Sequence, residues 1–573
     1  MDKKKTFIKD NYWMLFPIIH IIASFFYERA FFNWDMNLGA MFAVPINESV
    51  SNASEFIITY IFSKAIACVF IWLIWKLIFG IIKKQISEKV LVVFGTLFVL
   101  YCLACVIKWP QSMIGDGGSD HLITYLYAKS FVPYYWHAIF TGCLYSACFM
   151  VVPTAFALPV LQCLMVFGVL GYIFDILDRY TEKIGKFKWA KYLTLVAVIS
   201  PLFLDLITNS WRCCYYAILT MLFFAMILET VLLEDKASIR KIIIVMIIAA
   251  ILAVWRSEGI LYGAPGFFAM LVWGCRYKWK KVVLWMLLFC SVFYLLGRPG
   301  KIGQEKYYGK DYLMVCFVSP LANIFNDSNN NLSYEGANDD IAAIEAVVPI
   351  SVLRQYKYMG YLSNNYSKGY VDIDQSGATK EEGAAFVKAS ISIILHNPGT
   401  YVKSQINVWL DSFDYDKRLY IEEYIGEKDE YKGFSLAMWN DGKAELLGDA
   451  GVNSWANNST KNRAMYFIDK CSDKYIKIWE GKSFFNFKLL GLLALVLMDC
   501  VIALAEIINI FKKRYRDMMF GGMSLVLLAV LAATILMMPT PFVAYFYTFV
   551  YCSFMVGVFY GIRKLGEKAT VKK

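Results

Sequence analysis

Long apolar runs dominate this chain of 573 residues and constrain its fold more than any other feature. Hydrophobic residues make up 58% of the sequence and the mean hydropathy is +0.49, values that exclude an ordinary soluble globular protein. Many of the runs are long enough to cross about 30 Å of hydrocarbon. The chain is therefore predicted to be an all-α polytopic membrane protein.

The apolar runs predict about 12 transmembrane helices. They are expected near residues 12–33, 57–82, 89–108, 159–177, 191–207, 213–233, 241–255, 259–275, 281–297, 485–510, 517–537 and 541–561. A further apolar run, 138–152, is short and is flanked by prolines. It is expected to be a re-entrant or interfacial helix, which membranes tolerate where protein or a cavity surrounds it.

Basic residues between the apolar runs predict the orientation of the chain. With 12 spans, all of the basic clusters fall on one side, which the positive-inside rule identifies as the cytoplasm. The clusters begin at Lys3, Lys83, Arg179, Lys236, Arg276, Lys512 and Arg563. We therefore expect a multi-pass protein of the cell (plasma) membrane with cytoplasmic N- and C-termini. The net charge of +11 reflects these loops, so no nucleic-acid partner is expected.

The predicted spans divide the chain into three parts. Residues 1–297 form an N-terminal transmembrane domain with an external loop, 109–158, residues 298–484 form a mainly helical extracytoplasmic domain, and residues 485–573 form C-terminal transmembrane helices. Cys316 and Cys471 both fall in the extracytoplasmic domain. An exported domain permits a disulfide between them, and the sequence leaves the pairing open.

An acidic motif in the external loop is the first candidate site. Residues 115–121 read GDGGSDH and contain Asp116, Asp120 and His121. A carboxylate at the membrane rim can accept a proton from a hydroxyl group, and two carboxylates can hold a divalent cation such as Mg²⁺ or Mn²⁺. Asp120 and Asp116 are the predicted catalytic residues and candidate metal ligands, and His121 is predicted to bind substrate. The alternative is a turn rich in Asp and Gly that faces water.

Two arginines lie at the outer ends of apolar runs, against the positive-inside trend. Arg212 follows Trp211, and Arg256 begins the sequence Arg-Ser-Glu-Gly that contains Glu258. A guanidinium group binds phosphate through paired N–H donors, so these three residues are predicted to bind substrate. The alternative is structural ion pairing, of Arg256 with Glu258 or of Arg212 with Asp205.

Aromatic and histidine residues on the same predicted side complete the candidate set. His137 ends the sequence Tyr-Tyr-Trp-His, and Tyr545 follows an outer turn that is rich in proline. Both are predicted to contact substrate. The alternative for such aromatic clusters is a belt that anchors the protein at the membrane interface.

In their order and common sidedness, these motifs resemble the GT-C superfamily of integral-membrane glycosyltransferases. The resemblance is carried by Asp120 or Asp116, the patch 134–137, the short helix 138–152 and the Arg-x-x-Gly turn that begins at Arg256. In the extracytoplasmic domain it is carried by segments 333–335 and 396–401. Ala138 and Ala544 stand where the family pattern has Pro and Arg.

The resemblance implies a GT-C-like fold and transfer of a sugar from a polyprenyl-phosphate donor to an extracytoplasmic acceptor. The acceptor is a cell-wall or surface glycan, a lipid or a protein, and the reaction is expected to invert the anomeric carbon. Some members of the family require a divalent cation. The expected partners are thus the donor, the acceptor and the lipid bilayer.

Two other functions remain open from the sequence. A transporter or flippase for lipid-linked saccharides would carry charged residues deep in several helices, and few are found: Glu229, Asp499 and Glu506. A non-catalytic membrane scaffold is the third possibility. The chain contains no P-loop and neither an HExxH nor a GxSxG motif, which argues against ATP-driven transport and against the common hydrolases.

Overall fold

The structure is a computed structural model. It describes residues 12–31, 53–108, 138–154, 156–208, 212–233, 237–256, 258–307, 313–355, 379–413, 459–480, 487–507, 515–538 and 543–571. Throughout these ranges the regular secondary structure is helical.

Eleven α-helices lie in the described residues before position 313. Their bounds are α1 Leu15–Phe31, α2 Ala53–Ile82, α3 Glu88–Lys108, α4 Ala138–Val151, α5 Ala157–Ile184, α6 Thr194–Ile199, α7 Pro201–Thr208, α8 Arg212–Leu232, α9 Ile239–Trp255, α10 Gly259–Ala269 and α11 Trp279–Tyr307. The last of them continues past the predicted domain boundary at residue 297.

Nine helices follow. Their bounds are α12 Leu313–Asn326, α13 Ala337–Glu345, α14 Ile350–Gln355, α15 Lys380–His396, α16 Pro398–Asp411, α17 Ser459–Glu480, α18 Phe487–Ile507, α19 Tyr515–Met537 and α20 Tyr547–Val571. A short 3₁₀ turn, Val543–Phe546, precedes α20.

Eight of the described helices are long and apolar enough to cross a membrane, which indicates a membrane protein. They are α2, α3, α5, α8, α11, α18, α19 and the turn at Val543 together with α20. The expected count of about 12 is not confirmed. Helices α1 and α9 contain 17 residues each and α10 contains 11, so three expected spans are shorter than a typical crossing of about 20 residues.

The fourth difference is the expected span 191–207, which is broken in the structure. A 3₁₀ turn, Ala190–Leu193, leads into the short helix α6, which is capped by Ser200, and α7 begins at Pro201. Ser200 is extended, with φ −62° and ψ 135°, because a residue that precedes proline is disfavoured in the helical region. Mean hydropathy alone did not reveal this break.

Helix α4 corresponds to the predicted short apolar helix at 138–152. From Phe140 to Val151 most of its side chains are buried, so protein surrounds it. Its last carbonyl groups accept hydrogen bonds from another helix, since the Tyr27 hydroxyl donates to Met150 O at 2.6 Å and His20 Nε2 donates to Val151 O at 3.0 Å. These partners satisfy carbonyls that a helix end leaves free.

At one end of the bundle, a single carboxylate accepts hydrogen bonds from three side chains. Glu229 of α8 accepts from Arg179 Nη2 at 2.5 Å, Lys241 Nζ at 2.6 Å and the Tyr172 hydroxyl at 2.5 Å. Arg179 and Lys241 come from two of the basic clusters that the sequence predicted to share one side. The described contacts therefore bring these two clusters to the same end of the bundle.

The helices from α12 to α15 form a second hydrophobic cluster, in the region that the sequence predicted to be extracytoplasmic. Helix α16 joins it to the bundle, because Tyr401 and Gln405 donate to the carbonyl of Leu536, at the end of α19, at 2.5 and 2.6 Å. Within the described residues no disulfide joins Cys316 to Cys471. The disulfide that the sequence left open is therefore not formed.

The two segments of this region that carried the family resemblance contact each other. The Tyr334 ring stacks on His396 with centroids 3.6 Å apart, and the Thr400 hydroxyl donates to Asp327 Oδ2 at 2.7 Å. These two contacts join the end of α15 and the start of α16 to the loop between α12 and α13.

Candidate functional site

The turn between α9 and α10 is shaped by glycine. A Cβ atom at Gly259 would overlap the carbonyl oxygen of Leu252, and one at Gly263 would overlap the carbonyl oxygen of Ala249. The two helices therefore approach too closely for any other residue at these positions. This close packing fixes the intervening Arg-Ser-Glu-Gly turn at the end of the bundle opposite Glu229.

Arg256 is the centre of the site. Its Nε donates to Glu258 Oε1, and its Nη1 donates to Cys213 Sγ at 2.7 Å. The side chains of Arg256 and Glu258 are 13% and 21% exposed, so the ion pair is largely removed from water while one edge remains accessible. The carboxylate fixes the orientation of the guanidinium plane.

Aromatic rings border the guanidinium group on two sides. Its Cζ atom lies 5.6 Å from the centroid of Tyr216 and 5.5 Å from that of Tyr545, within the range of cation–π attraction. Tyr216 belongs to α8, whereas Tyr545 belongs to the 3₁₀ turn before α20. The Tyr216 hydroxyl is buried and makes no hydrogen bond to any described residue.

Helix α4 contributes the next layer of the site. Trp255 Nε1 donates to Thr141 Oγ1 at 2.8 Å, and the Trp255 ring meets Tyr216 edge-on with centroids 6.1 Å apart. The first turn of α4 is thereby bonded to the residue that precedes Arg256. In the sequence, His137 and the acidic loop come directly before this helix.

The electrostatics of the site favour a permanent cation. Burial favours the neutral form of Arg256, but the adjacent Glu258 carboxylate holds its pKa well above the usual value. The guanidinium group therefore stays charged at any physiological pH. A thiol sulfur is a weak acceptor, so the Nη1 donor is held less strongly than the Nε donor.

The structure brings together three of the predicted substrate-binding residues: Arg256, Glu258 and Tyr545. The ion pair of Arg256 with Glu258, which the sequence left as an alternative, is formed. Arg212 begins α8 and directly precedes Cys213, the thiol that Arg256 contacts.

The acidic motif lies outside the described residues. This applies to Asp116, Asp120 and His121, and also to His137. No group of three potential metal-ligating side chains occurs among the residues that the structure describes. The prediction that Asp116 and Asp120 hold a divalent cation stays a prediction.

Sequence reasoning missed three residues that shape the site: Cys213, Tyr216 and Thr141. All three lie in apolar helices, where a thiol, a ring or a threonine is expected to pack against neighbours. The adjacency of Cys213 to Arg212 was the only available signal. Glu258 was considered as a counter-ion, and the sequence could not reveal which side of the guanidinium group it would occupy.

Comparison of the chain with protein-family models finds no match, and neither does comparison with curated proteins or with solved structures.

Proposed function

We propose that this protein is a GT-C-type membrane glycosyltransferase, which moves a sugar from a polyprenyl-phosphate donor to an extracytoplasmic acceptor. The observation that carries the proposal is the convergence of Arg256, Glu258 and Tyr545 at one end of the bundle. These residues come from distant parts of the chain, and a purely structural ion pair would not need the aromatic rings around it.

The donor set suits a phosphate group. Glu258 holds the Nε edge of the guanidinium group, and the Nη1 donor is bonded to the weak acceptor Cys213. A phosphate oxygen is a far stronger acceptor than sulfur, so it would replace Cys213 at little cost. The buried Tyr216 hydroxyl offers a further donor beside the same group. Tyr545 offers a ring face to the sugar.

The proposed reaction is a single displacement. Asp120 accepts the proton of the acceptor hydroxyl as its oxygen attacks the anomeric carbon, while Asp116 and His121 assist. The bond between the anomeric carbon and the phosphate oxygen breaks, and Arg256 stabilises the negative charge that develops on the departing lipid phosphate. The anomeric configuration is inverted. Arg212 and His137 complete the proposed substrate contacts.

The test is a transfer assay in proteoliposomes with a panel of radiolabelled polyprenyl-phosphate sugars. We expect label to move to an acceptor in the wild type and not in Asp120→Asn, with both proteins folded as judged by circular dichroism. Wild-type turnover in Asp120→Asn would reject the role of this residue. Chelation of divalent cations, followed by re-addition of Mg²⁺ or Mn²⁺ in the same assay, tests whether transfer requires a metal ion.

The same preparation separates the competing functions. A transporter or flippase would move the labelled donor across the bilayer without transferring its sugar, and a scaffold would do neither. Arg240→Lys provides a matched control for Arg256→Lys, because Arg240 is an exposed arginine of α9 at its other end. Equal transfer rates in the two lysine variants would show that Arg256 does not stabilise the departing phosphate.

A further inference from the structure

One buried carboxyl group in the described membrane helices differs from the others. Three buried carboxylates each contact a lysine Nζ atom: Glu28 with Lys64 at 2.6 Å, Glu229 with Lys241 at 2.6 Å and Glu506 with Lys564 at 3.0 Å. Asp499 of α18 is fully buried and forms no ion pair with any described residue. The contrast with Glu506 is direct, because both residues lie on α18 about two turns apart.

Asp499 meets polar groups from two other helices. Ser524 of α19 donates to Oδ1 at 2.7 Å, and Ser553 of α20 faces the same carboxyl group. Both serines are fully buried. Asp499 Oδ2 and the Ser553 hydroxyl make no hydrogen bond to any described residue. A carboxyl oxygen and a hydroxyl therefore lie together in the bundle with bonding capacity left over.

The helices around this carboxyl group are tightly packed. A Cβ atom at Gly557 of α20 would overlap the sulfur of Met498, the neighbour of Asp499 in the chain. The titratable groups nearest on the described faces of these helices are Cys552 on α20 and, two turns along, Glu506 with Lys564 and Tyr560.

We propose that Asp499 is a proton-binding site, held as a neutral carboxylic acid whose Oδ2–H donates to the Ser553 hydroxyl. An ionised carboxylate without a cation is very costly in a buried, apolar site. A proton on Oδ2 removes the charge and supplies the missing hydrogen bond in one step, while Ser524 continues to donate to Oδ1. Glu506, with its lysine, needs no such proton and stays ionised.

The site is independent of the proposed sugar transfer. Its carboxyl group and both serines lie in α18, α19 and α20, the last three described helices.

Infrared spectroscopy of the full-length protein in lipid tests this proposal without any activity assay. Protonated carboxylic acids absorb where amides and carboxylates do not. We expect such a band near neutral pH that shifts in D₂O, shifts again when the protein is grown with isotope-labelled aspartate, and disappears in Asp499→Asn. Glu506→Gln is the matched control and should leave the band unchanged.

Two further measurements keep the proposal open to rejection if Asp499→Asn does not fold. Ser553→Ala should move the wild-type band, because the acid loses its hydrogen-bond acceptor. Exchange of K⁺ for Na⁺ should leave the band in place. Absence of an aspartate-derived band in the folded wild type would overturn the proposal. Loss of the band in Na⁺ would also overturn it and would identify a cation site.

Discussion

The two ends of the helix bundle each contain a carboxylate bound to an arginine, and their surroundings differ. Glu229 is bound by two cations and a tyrosine hydroxyl, so its acceptor capacity is used by donors from two other helices, α5 and α9. At the other end, the N–H donors of Arg256 outnumber their acceptors among the described residues. Besides Glu258, its described neighbours are the Cys213 thiol and two aromatic rings. A carboxylate whose acceptor sites are all used by protein donors is typical of a structural contact. A guanidinium group with unused donors next to aromatic rings is more typical of a ligand site.

The largest effect on stability is expected at the saturated end. Glu229→Gln leaves Lys241 and Arg179 without their shared counter-ion, and loss of one partner from a buried ion pair costs about 4 kcal/mol. The measurement is the thermal unfolding midpoint in detergent. Activity per folded molecule should not change. A fall in activity at unchanged stability would contradict a structural role for Glu229.

The opposite result is expected at Arg256. Arg256→Lys keeps the charge but loses the planar set of donors, so transfer should fall about 100-fold, or about 2.7 kcal/mol of transition-state stabilisation. The unfolding midpoint should stay close to that of the wild type. If Arg256→Lys lowers stability as much as Glu229→Gln and leaves transfer intact, the two ends are equivalent and the comparison fails.

A smaller effect should follow from the contact between α4 and the site. Thr141→Val keeps the shape of the side chain and removes the acceptor of Trp255 Nε1, which should cost about 1 kcal/mol of stability. Transfer should fall by more than this loss of stability explains if α4 positions the external loop. Thr230→Val, also a buried threonine in a helix but bonded to its own helix backbone far from the site, is the control.

The smallest effect concerns a charge outside the bundle. The backbone N–H of Asn329 and the hydroxyl of Thr400 hold the pKa of Asp327 below its usual value. The folded value lies below the unfolded value of about 3.9, so the stabilisation is present above that pH and is lost as the pH falls through the folded value.

Asp327→Asn should therefore lower the unfolding midpoint slightly near neutral pH. The difference from the wild type should begin to shrink as the pH falls below about 3.9 and should disappear once the pH is below the lowered pKa of the folded state. A difference that persists there would show that the substitution acts through shape and not through charge.

The sequence predicted much of the fold because apolar length and basic loops are local signals. The all-helical class, the enclosed short helix at 138–151 and the placement of Arg179 and Lys241 at one end all follow from such signals. The break at Pro201 and the lengths of α1 and α9 do not, since a mean over a window conceals one proline or a few missing residues. Arg256 stood out because its charge opposed the local trend.

The neighbours of Arg256 could not be predicted for a different reason. Cys213 and Tyr216 are ordinary members of an apolar helix until a distant turn is packed against them, and that packing depends on Gly259 and Gly263. Long-range packing of this kind leaves no periodic trace in one sequence. The buried Asp499 was visible as a charge in an apolar run, but its difference from Glu506 required the positions of the lysines.

The 3₁₀ turn at Val543–Phe546 contacts two different parts of the chain. Tyr545 faces Arg256, and the adjacent Phe546 ring packs on Phe413, just past α16, with centroids 5.4 Å apart. The segment just past α16 and the guanidinium group are thus connected through two consecutive side chains. A displacement of α16 would therefore reach Arg256 along a path of only two residues of this turn.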